Sequence, residues 1–223
     1  MVTPLPVPPN KVEQDIRDLA ARYAADLYAK IEARVADMEA DDKVYYLIYQ
    51  VLGVSDEEGR LIDLYQNKGR FLYQYAGAFL ERAAKLCFAE RFPDSSAVRI
   101  PNPYGQRPKT FEIDLLIEQR DALEIKWRDA TADGDHITKE HARVRAIADA
   151  GYKPVRIIFY YPNRLQAIRI QQTLETLYAG VQGEYFYGEA AWDYVKQYTA
   201  VDLKSVLQSI AKENGDKWQK SKP

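Results

Sequence analysis

The sequence lacks several features that would assign it to a specialised class of protein. It has one cysteine among 223 residues, Cys87, which excludes a disulfide framework or a thiolate zinc site within the chain. No stretch of about 18 residues is apolar and free of charge, which argues against a membrane-spanning helix. The first ten residues lack the basic and apolar segments of a signal peptide. We therefore expect a cytoplasmic protein that does not associate with membranes.

An excess of basic charge is also absent. The 31 Lys and Arg residues are balanced by 33 Asp and Glu residues, and the formal net charge is −2. Any binding of nucleic acid must therefore depend on a local basic patch or cleft and not on the overall charge. Gly69 and Gly77 belong to no phosphate-cradling motif, and we expect no small-molecule cofactor.

The hydrophobic pattern predicts helices in the first third of the chain. Residues 1–10 contain four prolines and predict an extended arm. Apolar residues then recur at spacings of three and four from Lys11 to Val35, which is typical of a long amphipathic helix. A short apolar helix is predicted to end near Gly53, and a further helix from Asp63 to end just before Pro93.

The pattern changes to strands and helices in the rest of the chain. Strands are predicted in residues 96–103 and in the segments "TFEIDLLI" and "DALEIKW", and a buried central strand in "KPVRIIFYYP". A helix opened by Thr138 and closed by Gly151 precedes that strand, a helix ended by Gly180 follows it, and two more helices lead to a tail predicted to fray from Gly215.

This order of elements predicts an α/β fold with a mixed β-sheet core flanked by helices and a helical N-terminal layer. The predicted domain limits are residues 1–66 for an N-terminal helical region, 67–180 for the core, and 181–223 for C-terminal helices that pack on the core.

Charged side chains interrupt the two apolar strands that the turn "EQRD" joins. If the strands pair across this turn, Asp114 and Glu124 fall opposite or nearly opposite each other, with Cβ atoms about 5 Å apart. Two carboxylates this close repel each other unless a cation lies between them. A hard cation such as Mg²⁺ accepts such ligands together with waters and phosphate oxygens. Lys126, on the same face, adds an ammonium group, so the hairpin predicts a metal site that can act on a phosphate.

The segment "IDLLIEQRDALEIKW" resembles the core of the PD-(D/E)XK nucleases, with Asp114 as the first acid and Glu124-Ile125-Lys126 as the E-x-K element. Ile113 stands where that group usually has proline. The longer segments "EIKWRDATADGDHITKEH" and "GYKPVRIIFYYPNRLQAIRIQQTLETLY" are similar to the ApaLI-like type II restriction endonucleases, and this resemblance covers most of the chain. It implies a restriction-endonuclease-like fold, a homodimer, and Mg²⁺-dependent cleavage of double-stranded DNA at the palindrome GTGCAC.

The resemblance also implies roles for individual residues. Asp114, Glu124 and the carbonyl of Ile125 would bind the metal, and Lys126 would orient the attacking water and offset the charge that develops on the phosphate. Glu81, on the helix before the hairpin, matches a further metal-site glutamate of that group. These residues are the predicted catalytic site.

Two stretches predict contacts with DNA. The loop before the first acid carries Arg107 and Lys109, and an ordinary proline-rich loop is the competing interpretation. The segment after Lys126 leads into a helix N-terminus, where basic groups suit phosphates and acids can accept from cytosine amino groups. An exposed loop and a capped helix are the alternative there. The predicted contacts of this segment are Arg128, Asp133, Asp135, His136, Lys139 and Arg143.

Three functions remain open at this point. The first is a type II restriction endonuclease that acts as a homodimer, because a palindrome requires two symmetric active sites. The second is a repair or recombination nuclease of the same fold, which would recognise DNA structure. The third is a non-catalytic DNA-binding or adaptor domain, in which the hairpin charges form only a solvated polar face.

Overall fold

The computed structural model describes residues 11–105, 107–128 and 134–220, and the side chains of residues 134–136 and 217–220 are outside that description. Within these ranges the chain forms seven helices and a five-stranded sheet. The helices are α1 (Lys11–Ala40), α2 (Tyr46–Val51), α3 (Asp56–Arg91), α4 (Gly134–Asp149), α5 (Leu165–Ala179), α6 (Glu189–Thr199) and α7 (Leu203–Lys220). The strands are β1 (Ser96–Pro101), β2 (Thr110–Ile117), β3 (Asp121–Arg128), β4 (Lys153–Tyr160) and β5 (Glu184–Tyr187).

The sheet is mixed and keeps its strands in chain order. The strands β1, β2 and β3 pair antiparallel, and β3, β4 and β5 pair parallel. On β4, Arg156 contacts Glu140 of α4, whereas the Phe159 ring lies 4.3 Å from that of Trp192 of α6. Because side chains alternate along a strand, α4 covers one face of the sheet and α6 the other. This arrangement confirms the predicted α/β class with a mixed sheet flanked by helices.

Contacts between Cα atoms divide the chain into two compact units. Residues 17–79 form one, the helical unit, and the described residues before and after them form the other, the sheet unit. In the helical unit, the ring of Tyr23 on α1 lies 6.0 Å from that of Tyr75 and 5.8 Å from that of Phe79 on α3. The units are defined by contacts and not by independent folding, so the predicted domain limits remain predictions.

Two helices begin earlier than predicted. The helix α3 starts at Asp56 and not at Asp63, because the Ser55 hydroxyl accepts a hydrogen bond from the Glu58 N–H at 3.2 Å. Ser55 and Glu58 have the spacing of a capping box, a sequence signal that predicts this start. The helix α4 starts at Gly134, ahead of the predicted Thr138. No proline lies between these two residues, so nothing in this stretch stops the helix from extending toward its N-terminus.

The prediction was also wrong near the C-terminus of the chain. The helix α7 continues through Gly215 to Lys220, where a frayed tail was predicted. A glycine inside a helix costs only about 1 kcal/mol relative to alanine, which neighbouring good helix formers can offset. The strand β5 was not predicted, since it has four residues and its pairing with β4 is non-local. The predicted extended arm of residues 1–10 lies outside the described residues.

Two other predictions agree with the structure. The helix α2 ends before Gly53 and α4 before Gly151, and both glycines have φ of +83°, which L side chains rarely adopt. The predicted buried strand is β4, which lies between β3 and β5. No helix in the described ranges is long and apolar enough to cross a membrane.

Candidate active site

A tight turn sets the register of the hairpin that carries the acids. Glu118 and Gln119 both have φ of +51°, as a type I′ turn requires, and the Arg120 N–H donates to the Ile117 carbonyl at 2.9 Å. The strands then pair until Leu115 lies opposite Leu123. Asp114 and Glu124 follow directly after this last pair, so the hairpin brings the two acids together.

The strand β2 contains a bulge at the first acid. Where its register against β1 shifts, Asp114 and Leu115 together face the single residue Ala97. Ile113 and Leu116 consequently pack in one core cluster with α4, although strict alternation would place them on opposite faces. The predicted alternation is therefore wrong at this point. Bulges redirect side chains beside active sites, and this one lies at Asp114.

The two acids meet at the ammonium group of Lys126. Its Nζ lies 2.6 Å from Oε1 of Glu124 and 3.9 Å from Oδ2 of Asp114. The same Oδ2 accepts a hydrogen bond from the main-chain N–H of Ile125 at 2.9 Å. The Lys126 ammonium group thus bridges two carboxylates on neighbouring strands, and the Asp114 carboxylate is also hydrogen-bonded to the main chain at Ile125, the residue between Glu124 and Lys126.

The environment drives the pKa values of the two acids apart. Burial raises the pKa of Asp114 to about 6, and the negative charge of Glu124 adds to this effect. Burial also acts to raise the pKa of Glu124, but the positive charges of Arg143 and Lys126 outweigh it and lower that pKa to about 2. For Lys126, burial opposes the charged form, yet the two acids raise its pKa. Near neutral pH the site therefore holds an ionised Glu124 and a charged Lys126, with Asp114 close to its titration point.

Glu81, the predicted third acid, lies on α3 and is half-buried. Its carboxylate accepts a hydrogen bond from Lys85 at 2.7 Å, and its charge helps to raise the pKa of Asp114. It is close enough to act on Asp114 electrostatically. Within the residues described, however, no three His, Cys, Asp or Glu side chains are grouped to hold a metal ion.

Behind Glu124 lies a largely buried guanidinium, that of Arg143, which was predicted to contact DNA. Arg143 of α4 is only 15% exposed and forms an ion pair with Oε2 of Glu124. It also donates to the main-chain carbonyl of Glu112 on β2. Arg143 thus neutralises the Glu124 oxygen that points away from Lys126, and it ties α4 to the hairpin.

A second buried pair lies next to Arg143. Arg156 of β4 is the register partner of Glu124 and is 1% exposed. Its Nη1 lies 3.1 Å from Oε1 of Glu140 on α4, and the Tyr178 hydroxyl of α5 donates to the same carboxylate oxygen at 3.1 Å. The positive charge of Arg156 also lowers the pKa of Glu124.

These groups form a continuous set that we call the buried ionic array. It contains three acids and three bases, so its charges balance when all are ionised. Its members are Asp114, Glu124, Glu140, Lys126, Arg143 and Arg156. The second half of the array was missed from the sequence, although an arginine inside the apolar run "PVRIIFY" and a Glu140-x-x-Arg143 spacing on one helix face are signals for it.

The other predicted DNA contacts are distributed around this array. Arg107 and Lys109 are exposed in the β1–β2 loop, Arg128 is exposed at the end of β3, and Lys139 is exposed on α4. Asp133 lies outside the described residues. Asp135 and His136 are in the first turn of α4, and their side chains are outside the description. Contact with DNA remains a prediction for every one of these residues and for Arg143.

The donor atoms at the hairpin suit a hard divalent cation. Asp114 and Glu124 supply carboxylate oxygens. Ile125, which lies in β3 between Glu124 and Lys126, supplies a main-chain carbonyl. Mg²⁺ binds proteins through one or two carboxylates and completes its shell with waters and phosphate oxygens. The position of the Lys126 ammonium group between the two acids shows that a positive charge is stable there. The residues present therefore fit a magnesium ion.

Comparison with known proteins connects this geometry to a family. The model of the ApaLI-like restriction endonuclease family matches residues 7–212. Neither a curated protein nor a solved structure gave a match. The match extends over both units and includes the hairpin, the helix α4 and the strand β4.

Proposed function

The chain belongs to the ApaLI-like restriction endonuclease family, and on that premise we propose that it cleaves double-stranded DNA at a short palindrome with Mg²⁺ as cofactor. Membership in this family implies that the chain is a restriction endonuclease and that its substrate is DNA. We further propose that the palindrome is GTGCAC, that the active form is a homodimer, and that it acts in the cytoplasm. The observation that best supports cleavage is the convergence of Asp114 and Glu124 on Lys126.

In the proposed site, Asp114, Glu124 and the Ile125 carbonyl would hold the ion. When bound, Mg²⁺ would polarise the scissile phosphate and lower the pKa of a water molecule. Lys126 would orient the attacking water and offset the negative charge that develops on the phosphate oxygens. Glu81 would support Asp114 from α3.

The buried ionic array supplies what this chemistry requires from its acids. Arg143 engages one Glu124 oxygen from inside the protein, which leaves the other oxygen toward Lys126 and Asp114. A carboxylate held in this way stays ionised and cannot rotate freely, so it is preorganised for a cation. We therefore assign Arg143 a positioning role for Glu124.

The exposed basic residues would position the DNA. Arg107, Lys109, Arg128 and Lys139 are suited to contact phosphates, and such contacts fix the register of a protein on DNA. Asp133, Asp135 and His136 remain proposed contacts at the base edges.

The test is a digestion of plasmid DNA that carries one GTGCAC site. We expect Mg²⁺ to produce a single linear product, and we expect no cleavage with EDTA or with the Asp114→Ala variant. A plasmid in which the site is altered by one base pair is the matched control and should stay circular.

Other outcomes would replace parts of the proposal. Discrete fragments from both plasmids would mean a different recognition sequence. Nicks confined to branched DNA would favour a structure-specific repair nuclease. Intact DNA with every divalent metal tried, together with binding of the DNA, would favour a non-catalytic adaptor.

A further inference from the structure

The short helix α2 carries two apolar faces, and only one of them is covered within the helical unit. On the covered face, Tyr46 and Tyr49 stack at 5.2 Å, and the Tyr49 hydroxyl donates to Asp63 of α3 at 2.9 Å. A Cβ atom at Gly59 would lie 2.6 Å from Cδ2 of Tyr49, so α2 approaches α3 as closely as only glycine permits. This packing fixes which side of α2 points outward.

The outward side is a stripe of five aliphatic residues, Val44, Leu47, Ile48, Val51 and Leu52. Leu47, Ile48 and Val51 lie within α2, at the spacing that places side chains on one helix face, and Val44 and Leu52 lie in the turns that flank the helix. Each of them is between 59% and 74% exposed. A contiguous apolar surface of this kind on a folded unit marks an interaction site. We call it the α2 stripe.

The charges around the stripe decide the class of partner. The stripe contains no basic side chain, and the acidic residues Asp56 and Glu57 begin the neighbouring helix. Lys43 and Arg60 line a depression beside Leu47 together with Asp56 and Glu57, so the border of the stripe carries both signs of charge. A border of mixed charge suits another protein surface better than the uniformly negative phosphates of DNA or of an anionic membrane. Both signs of charge on one patch allow it to pair with a copy of itself, since a two-fold axis brings each edge against the opposite one.

The size of the stripe also suits a second copy. Five such side chains present on the order of 100 Å² each, or roughly 500 Å² per chain. A stable interface buries roughly 800 Å² per partner, of which about 60% is apolar. The stripe therefore supplies the apolar part of a standard interface, and its charged border supplies the rest.

We propose that the α2 stripe is the surface through which two copies of this chain form a homodimer. The proposal rests on the proposed function in one respect: cleavage of both strands of a palindrome requires two active sites. It names a surface in the helical unit that is separate from the residues of the candidate active site.

The experiment compares the full-length chain with Ile48→Glu/Val51→Glu by multi-angle light scattering across a concentration series. We expect the parent protein to be dimeric and the variant to be monomeric, with the dissociation constant raised at least 100-fold. Tyr28→Glu, which changes an equally exposed side chain of α1 in the same unit, is the matched control and should remain dimeric. Circular dichroism checks that the variant is folded.

A second measurement applies if the charged variant fails to fold. Ile48→Cys, at the middle of the stripe, should form a disulfide-linked dimer under mild oxidation, because the centre of a self-paired patch lies against its own copy. The native Cys87 should not cross-link under these conditions, since it is buried and burial raises the pKa of its thiol to about 12. Tyr28→Cys should stay monomeric on a non-reducing gel.

The outcomes separate this proposal from the proposed function. A parent protein that cleaves plasmid DNA but is monomeric with and without DNA would overturn the dimer surface and leave the endonuclease assignment intact. If the charged variant stays dimeric, the dimer interface does not include the α2 stripe and the proposal is wrong. Loss of the dimer in the variant, with no cleavage by the parent protein in any divalent metal, would support the surface and count against the nuclease.

Discussion

The two units of this chain depart from ordinary folding rules in opposite directions. The sheet unit buries charge: Glu124, Glu140 and Arg156 are each less than 5% exposed. The helical unit exposes apolar surface, and most of the large exposed hydrophobic side chains among the described residues belong to it. Buried charge and exposed apolar surface both lower the stability of an isolated chain.

Each departure lies at a place that a proposed function uses, the buried charge at the candidate active site and the exposed apolar surface at the proposed dimer surface. Buried charge is stable only where partners balance it, and a site that must bind a cation and a phosphate needs charges in a fixed arrangement. Exposed aliphatic side chains are stable only where a partner covers them. If this interpretation is right, changes to the array should alter chemistry and stability together, whereas changes to the stripe should alter association alone.

The largest effect is expected from Lys126→Ala. It should lower the turnover number by about 10⁴-fold, because the variant loses the ammonium group that bridges the two acids. DNA affinity without metal, measured by fluorescence anisotropy, should stay within a few-fold. Lys153→Ala removes an equally half-buried lysine, which pairs with Glu184 at 2.6 Å away from the two acids, and it should leave turnover unchanged. Unchanged turnover in Lys126→Ala would reduce the cluster to a structural ion pair.

The next effect concerns stability. Arg143→Met should reduce the free energy of unfolding by about 3–5 kcal/mol, since it leaves the Glu124 carboxylate buried with less compensation. Urea denaturation without metal measures this loss. Arg120→Met is the matched control, because Arg120 also pairs with a buried acid of β3, Asp121, but is itself 61% exposed. Its loss should be clearly smaller, because solvent screens the exposed guanidinium. Equal losses in the two variants would show that the array holds its charges no more tightly than the surface does.

The third prediction concerns pH. Burial raises the pKa of Asp114 from its ordinary value of 3.8 to about 6 in the folded protein, so the folded state binds this proton more tightly than the unfolded state. Stability is therefore lost as pH rises from about 4 to about 6, by about 3 kcal/mol. Asp114→Asn should recover most of this loss above pH 6 and none below pH 4, as measured by urea denaturation in EDTA.

Asp121→Asn reverses the sign of that experiment. Burial acts to raise the pKa of Asp121, but hydrogen bonds from Arg120 and Tyr198 outweigh it and lower the pKa below its usual value. The Asp121 carboxylate therefore stabilises the fold above its unfolded pKa, and its replacement should destabilise the protein at neutral pH. Stabilisation by both substitutions would show that Asp114 of β2 and Asp121 of β3 do not differ in their electrostatic environment.

The smallest effect tests the packing that turns the α2 stripe outward. Gly59→Ala should reduce the free energy of unfolding by about 1–3 kcal/mol, because its Cβ would collide with the Tyr49 ring. Gly69→Ala is the control within the same helix, where nothing lies within 4 Å of the added atom. It should raise stability by up to about 1 kcal/mol. A neutral Gly59→Ala would mean that α2 is not held in place by close packing.

Local patterns predicted most of the elements, and the exceptions have physical causes. The alternation of β2 and β3 and the turn between them predicted that Asp114 and Glu124 would meet, since hairpin partners are only a few residues apart. The strand β5 was missed because four residues carry too little periodicity, and its pairing with β4 depends on the intervening helix. The start of α3 was missed although the capping pair Ser55 and Glu58 predicts it.

The residues of the candidate site also fall into two groups, those found from local sequence patterns and those whose position depends on distant elements. The acids and the lysine of the hairpin were found from the sequence because they interrupt an apolar run within one local element. Arg143 was predicted only as a DNA contact, and its ion pair with Glu124 was missed, since nothing in the sequence states which side of α4 faces the sheet. The bulge that places Asp114 was equally hidden, because it arises where β2 pairs with a strand separated from it by a loop.

The fold class and the meeting of two acids and one lysine across a short hairpin could be predicted from local patterns, because periodicity and hairpin register depend on neighbours along the chain, and the family followed from the resemblance of longer segments. Only packing between distant elements placed the buried Arg156 and the largely buried Arg143 behind Glu124 and left one apolar face of α2 uncovered. Both depend on which surfaces distant elements present to each other, and that is fixed by packing across the whole unit and not by any local pattern.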